Sequence, residues 1–324
     1  MIFDFDAYVT AAVFDRTGKA IFALGDGTVR FEDAASVQVH DGAILAAAAH
    51  PSGEGLVSGG DDGRLVWSKA AGLQVIAERP GGWIDVVAAS AASGLIAFAA
   101  GRDLMVRDAA DPKFERTFTH ERSVADVAFD AKGRRIAAAT YGGAQLWYAR
   151  IAEQKPVALK WAGSHIALAF SPDGRFLVSS MQENELHGWR LSDAKDLRMG
   201  GYPSKVKSLV FLYKGLVMAT SGAPGVVVWP FAGGDGPMGK QATETGFDES
   251  SLVTCVAATP DRPILAAGCS DGRVWACSLE TGSVVTLKAE KGAAISALAI
   301  TPDGARLAWG DEDGGAGVAV VEGL

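Results

Sequence analysis

The chain is poor in the residues that staple small folds. Only three cysteines occur in 324 residues, Cys255, Cys269 and Cys277, and no Cys-x-x-Cys pair. An odd, sparse set excludes a disulfide framework and suits a reducing compartment. Long apolar runs are also missing. No stretch approaches the roughly 20 uninterrupted apolar residues that a membrane helix requires. The first residues, Met1-Ile2-Phe3-Asp4-Phe5-Asp6, have neither the basic start nor the apolar run of a secretory signal. These absences lead to the expectation of a soluble, cytoplasmic protein. Basic residues are in the minority, 30 Lys and Arg against 38 Asp and Glu, for a net charge of −8. A chain this acidic repels phosphate backbones, so neither nucleic acid nor membrane is expected as a partner. Helical periodicity is nearly absent. What is plentiful is glycine, 40 residues, and apolar material, 48% of the chain, enough for a sizeable core with many turns.

That material is arranged as a repeat. An alternating apolar run leads into a Pro/Asp/Gly turn. A second apolar run ends in small residues, and after an Asp/Gly turn a third run often holds Trp. The clearest copy is Ile166–Phe170, then Ser171-Pro172-Asp173-Gly174, Arg175–Ser179 and Leu186–Trp189. Ile295–Ile300 before Thr301-Pro302-Asp303-Gly304, and Ile44–Ala49 before His50-Pro51-Ser52-Gly53, follow the same plan. First-turn positions fall at Gly18, Gly53, Gly94, Gly133, Gly174, Gly215, Arg262 and Gly304, with a mean spacing of about 41 residues. Phe31, Trp67, Trp147, Trp189, Trp229 and Trp275 keep step. Period-2 apolar runs bury one face of a sheet, and glycine at the reversals supplies positive φ. A lone sheet of this kind leaves faces and edges open, whereas radial stacking of copies covers them. A β-sandwich gives no reason for a fixed period.

The turns Ser171-Pro172-Asp173-Gly174, Asp26-Gly27, Asp62-Gly63 and Asp271-Gly272, with the third-strand tryptophans, resemble WD40 repeats over essentially the whole chain. The resemblance implies an all-β fold: a single closed WD40-type β-propeller of four-stranded blades, eight by preference and seven as the alternative. The inner three strands of the units are expected near 9–33, 43–69, 83–109, 123–149, 164–191, 205–231, 252–279 and 294–322. Residues 2–5 would supply a closing outer strand against 317–321. Residues 232–250 read as a long surface connection. WD40 blades often carry a Gly-His pair, a Ser/Thr, a turn Asp and a Trp that hydrogen-bond as a tetrad. Here only His40 and His120 stand just ahead of an inner strand, and no Trp-Asp pair occurs. The resemblance therefore implies that most blades lack the tetrad and rest on apolar packing.

Motifs for chemistry are scarce. The five histidines, His40, His50, His120, His165 and His187, lie in no nucleophile-elbow context. The cysteines would occupy three strands of one blade, where buried thiols act as small apolar residues. Asp311-Glu312-Asp313-Gly314 lacks the spacing of a calcium loop. Glycine-rich stretches precede no helix, so they are turns and not phosphate cradles. Glu280-Thr281-Gly282 is a single echo of a quinoprotein turn. No enzyme activity and no cofactor are expected. The favoured reading is a scaffold that binds a partner protein or peptide through the segments entering the inner strands. These hold His40, Trp83, Asp85, His120, Arg122, Trp161, Tyr202, Lys205 and Lys207. Aromatic and arginine side chains are the usual anchors of interfaces, and Trp83 and Tyr202 follow glycine pairs instead of lying within apolar runs. The alternative is a small-molecule or metal binder, perhaps catalytic, using a central channel that Asp85, His165 and Lys207 would face.

Overall fold

The computed structural model describes residues 1–324. It is all-β, built of antiparallel meanders, with one short 3-10 turn at Tyr213–Gly215. The chain divides into two compact units, Thr10–Leu168 and Ala169–Leu324 together with Met1–Val9.

The unit Thr10–Leu168 opens with the meander Val9–Phe14, Ala20–Leu24, Thr28–Phe31 and Ala34–Gln38. Ile44–Ala49, Leu56–Gly60, Arg64–Lys69 and Gly72–Glu78 form the next, and Val86–Ser90, Leu95–Ala100, Asp103–Asp108 and Glu115–Thr119 a third. Asp126–Phe129 then pairs with Arg135–Tyr148, which pairs with Val157–Phe170. In the other unit, Leu209–Leu212, Val217–Thr220, Val226–Pro230 and Thr243–Thr245 form one meander. Val253–Ala258, Ile264–Cys269, Val274–Ser278 and Val284–Lys288 form another. Ile295–Ile300, Arg306–Asp311 and Gly315–Val320 receive Ile2–Asp4 as their fourth strand, in the register Ile2↔Gly317. Met1 N and Phe5 N extend this pairing to Val318 O and Gly314 O.

The turn chemistry explains why these residues reverse where they do. At the first turn of five repeats, glycine donates its N–H to the carbonyl three residues back: Gly18 to Asp15, Gly53 to His50, Gly133 to Asp130, Gly174 to Ser171 and Gly304 to Thr301. A side chain then caps the open amides. Asp15 accepts from Thr17 N and Lys19 N, and Asp130 from Arg134 N and Arg135 N. Aspartate at these positions competes locally for backbone donors, which is why it favours turns over strand interiors. The second strands are buried throughout, as at Ala20–Leu24, Leu56–Gly60 and Phe176–Met181, because both of their faces are covered. In the first unit Leu95, Leu104, Val106 and Ile136 pack with Phe118 and Trp147. Each such side chain contributes roughly 1.5–3 kcal/mol on burial.

Two expectations are corrected here. The hydrogen-bonded sheets number seven, as in the seven-blade alternative, and not eight. The reason lies in the repeats at 123–149 and 164–191, whose strands join in one six-stranded sheet because Val157–Phe170 runs unbroken from one repeat into the next. The connection at 232–250 is also not wholly irregular. Thr243–Thr245 pairs with Val226–Val228 and completes that blade, a strand too short and polar to show an apolar alternation.

Candidate functional site

In a four-stranded antiparallel meander the second-to-third turn and the segment entering the next inner strand lie at the same end of the strands. In the unit Thr10–Leu168 that end gathers the segments around Trp83, Arg102, Arg122, Tyr141 and Trp161. Gly82 approaches Ala100, His120 N donates to Arg102 O at 2.9 Å, and Val124 N donates to Gly101 O at 2.8 Å. These contacts lay the entry to one inner strand along the neighbouring hairpin turn. Beside them, Glu121, Tyr141, Gly142, Gly143, Lys160 and Trp161 line an open cleft of about 460 Å³.

The floor of the cleft is rigid for a definable reason. Gly143 pairs with Lys160, and Tyr141 pairs across to Ser164, with a register shift between them. Gly143 has φ +136°, and a Cβ there would stand 2.0 Å from Leu159 O, so only glycine lets the strands close. The backbone is thus fixed while the Tyr141 ring stays 65% exposed. Trp83 is equally exposed, although Ile84 beside it is fully buried and its N–H donates to Gly60 O. Arg102, Arg122 and Lys160 are exposed and make no ion pair. Arg79 differs, being bound to Asp103 at 2.6 Å. Asp85 lies on the rim, and burial pushes its carboxyl above the usual carboxylate range.

Three of the nine candidates turn out to be internal. His40 is fully buried. Its Nδ1–H donates to Asp62 Oδ1 at 2.9 Å, and its Nε2 accepts from Ser58 Oγ at 2.8 Å. Burial alone would raise the Asp62 carboxyl, but His40, Arg64 and two backbone donors hold it well below the usual range. His120 accepts from Trp147 Nε1 at 3.2 Å and donates through Nδ1 to Arg102 O at 3.2 Å. Burial lowers its pKa, in keeping with a neutral ring that has one acceptor and one donor nitrogen. In the other unit Tyr202 occupies the corresponding place. Its hydroxyl accepts from Trp229 Nε1 at 2.6 Å and donates to Thr220 Oγ1 at 2.6 Å, which passes the chain on to Val227 O at 3.2 Å. Burial pushes the Tyr202 phenol up to about 12. Three repeats therefore keep a polar relay, each missing or exchanging a member: two at the histidines His40 and His120 that the sequence marked for such a tetrad, and one at Tyr202, which it did not.

The remaining candidates divide between the units. Trp83, Asp85, Arg122 and Trp161 lie together at the end just described. Lys205 and Lys207, half-buried and exposed, stand in the other unit, where Lys207 N donates to Ser221 Oγ. Of the residues raised for a channel site, His165 is buried with Nε2 at 3.1 Å from Trp161 O. No group of three His, Cys, Asp or Glu side chains is placed to hold a metal ion. Cys269 and Cys277 are buried, and burial pushes the thiols of Cys255 and Cys277 up to about 12 and about 11. Tyr141, Arg102 and Lys160 escaped the sequence reading. Tyr141 precedes Gly142-Gly143, and an aromatic beside a glycine pair was the very signal that marked Trp83 and Tyr202. Nothing in the sequence distinguishes Arg102 or Lys160 from other surface cations.

Comparison with known proteins defines the class. The chain is similar to a computationally designed protein, Ika8, with a TM-score of 0.79, 19% identity and 98% of each chain covered. At that identity the likeness shows the fold alone, a β-propeller of four-stranded blades. Residues 33–67 and 240–275 match the family model described as WD domain, G-beta repeat. Repeat and architecture agree: the chain is a β-propeller of four-stranded blades in which two segments match the WD40 repeat. No curated protein sequence matches it. No helix of the structure is long and apolar enough to cross a membrane.

Proposed function

We propose that the protein is a cytoplasmic scaffold with no chemistry of its own, and that it binds a partner protein or peptide at the strand-entry end of the unit Thr10–Leu168. WD40 propellers are in general platforms for protein interaction. The observation that carries the reading is the pair Trp83 and Tyr141. Each is 65% exposed on backbone fixed by buried or glycine-dependent contacts. Rigid aromatic side chains anchor interfaces at low entropic cost. Arg122 and Trp161 complete the set, while His40 and His120 support the same unit from within. The test of function is affinity capture from the native host, with the full-length wild type and a Trp83→Ala/Tyr141→Ala variant of unchanged melting temperature. Loss of the specifically captured partner is expected. Undiminished capture places the binding surface elsewhere.

A further inference from the structure

Resting on that reading, we infer that the partner segment is an acidic peptide carrying apolar side chains, held by Arg102, Arg122 and Lys160 around Trp83, Tyr141 and Trp161.

The argument begins with what the cations lack. Six of the eleven arginines of the unit Thr10–Leu168 are engaged in ion pairs: Arg16 on Glu54, Arg64 on Asp62 and Asp41, Arg79 on Asp103, Arg107 on Glu115, Arg135 on Asp130 and Arg150 on Asp108. Arg102, Arg122 and Lys160 are exceptions, and all three fall at the same end of the unit. The His120 ring ties Arg102 to the segment holding Arg122, and Lys160 lies on the cleft with Tyr141. The anions at the same end are Glu121 and Asp85, both exposed, and Asp103, already bound to Arg79 and Thr119, so three unpaired cations stand against two unpaired carboxylates. A cationic excess therefore remains beside exposed aromatic rings.

On a chain of net charge −8, such a patch has a consequence for recognition. Screening limits charge effects to about 8–10 Å at ordinary ionic strength, so an approaching segment responds to the local patch more than to the total. The net negative charge of the rest of the chain disfavours an acidic segment away from the patch, which favours docking at this end. The cleft of about 460 Å³ between Tyr141 and Trp161 offers room for apolar side chains of the same segment.

The test uses fluorescein-labelled 12-residue peptides that alternate Glu, or Lys, with Leu and Phe. Binding to the full chain is read by anisotropy at low and high salt. The acidic peptide should bind about tenfold or more tightly than the basic one, with the difference shrinking as salt rises. The Arg102→Glu/Arg122→Glu/Lys160→Glu variant, with its melting temperature checked, should abolish or reverse that preference. Equal binding of both peptides, no binding of either, or a preference that survives charge reversal overturns the inference. If host-cell capture still depends on Trp83 and Tyr141 in that case, the platform reading stands and only the acidic partner falls. If capture is also independent of them, both fall.

Discussion

Replacing Tyr202 with Phe removes one oxygen atom and nothing else, so it isolates the relay from the packing. In the wild type that oxygen serves two partners at 2.6 Å, accepting from Trp229 Nε1 and donating to Thr220 Oγ1. Thr220 keeps its own bond to Val227 O, so its donor stays satisfied in the variant. Trp229 is less fortunate, because its N–H is left facing a phenyl edge. A buried donor without an acceptor costs about 1–3 kcal/mol, and the lost Thr220 contact adds a net ~0.5–1.5 kcal/mol. The ring volume is unchanged, so no cavity contribution enters. The expected loss is therefore about 2–4 kcal/mol. A chain of this length shifts its melting temperature by roughly 2 °C per kcal/mol, so a fall of about 4–8 °C follows. Differential scanning calorimetry of wild type and variant reads it directly. Partner capture by the folded variant should be unaffected, since the hydroxyl is inside. A melting temperature within 1 °C of wild type, accompanied by lost capture, would refute the assignment of Tyr202 to the interior.

The same logic makes three further predictions. Trp83→Ala should change stability by no more than about 0.5 kcal/mol, because the ring is mostly exposed, while weakening partner capture; chemical denaturation together with capture checks both. Gly143→Ala should cost about 1–3 kcal/mol and distort the cleft, because the added Cβ meets the Leu159 carbonyl at positive φ; equilibrium unfolding measures the loss, and an unchanged midpoint contradicts it. Asp126, whose carboxyl accepts from Leu168 N at 2.6 Å, is pushed up to about 7 by burial, against the lowering effect of its backbone donors. The folded chain then holds that proton more tightly than the unfolded one, and stability from this group declines as pH rises from about 4 to about 7. Asp126→Asn should remove that slope, so its melting temperature relative to wild type should climb across the same window; a difference independent of pH would contradict the assignment.

Much of the fold was legible because the repeat writes its own punctuation. Glycine at Gly18, Gly53, Gly133, Gly174 and Gly304 marks reversals that the backbone hydrogen bonds reproduce. What failed was legible only in three dimensions. Whether adjoining repeats share a sheet depends on the unbroken run through Ala162-Gly163, where a loop was as plausible as a strand. Thr243–Thr245 carries no apolar pattern, since an outer strand is held by its ladder more than by burial. For the site, proximity to an inner strand selected residues by position and could not tell which way a side chain turns. His40, His120 and Tyr202 turn inward to relays, whereas Trp83 remains outside. Tyr202 was hidden further because a phenol stands where the WD40 pattern has an imidazole, and only the distances to Thr220 and Trp229 show that it does the same work.

The central claim is that the strand-entry end of the unit Thr10–Leu168 is the recognition surface. Hydrogen–deuterium exchange of the full chain, alone and with its captured partner, tests it most directly. Protection is predicted at residues 79–85, 101–103, 120–123, 141–143 and 160–163. Protection confined instead to the opposite ends of the same strands, at 50–55, 91–94 and 130–134, would contradict it.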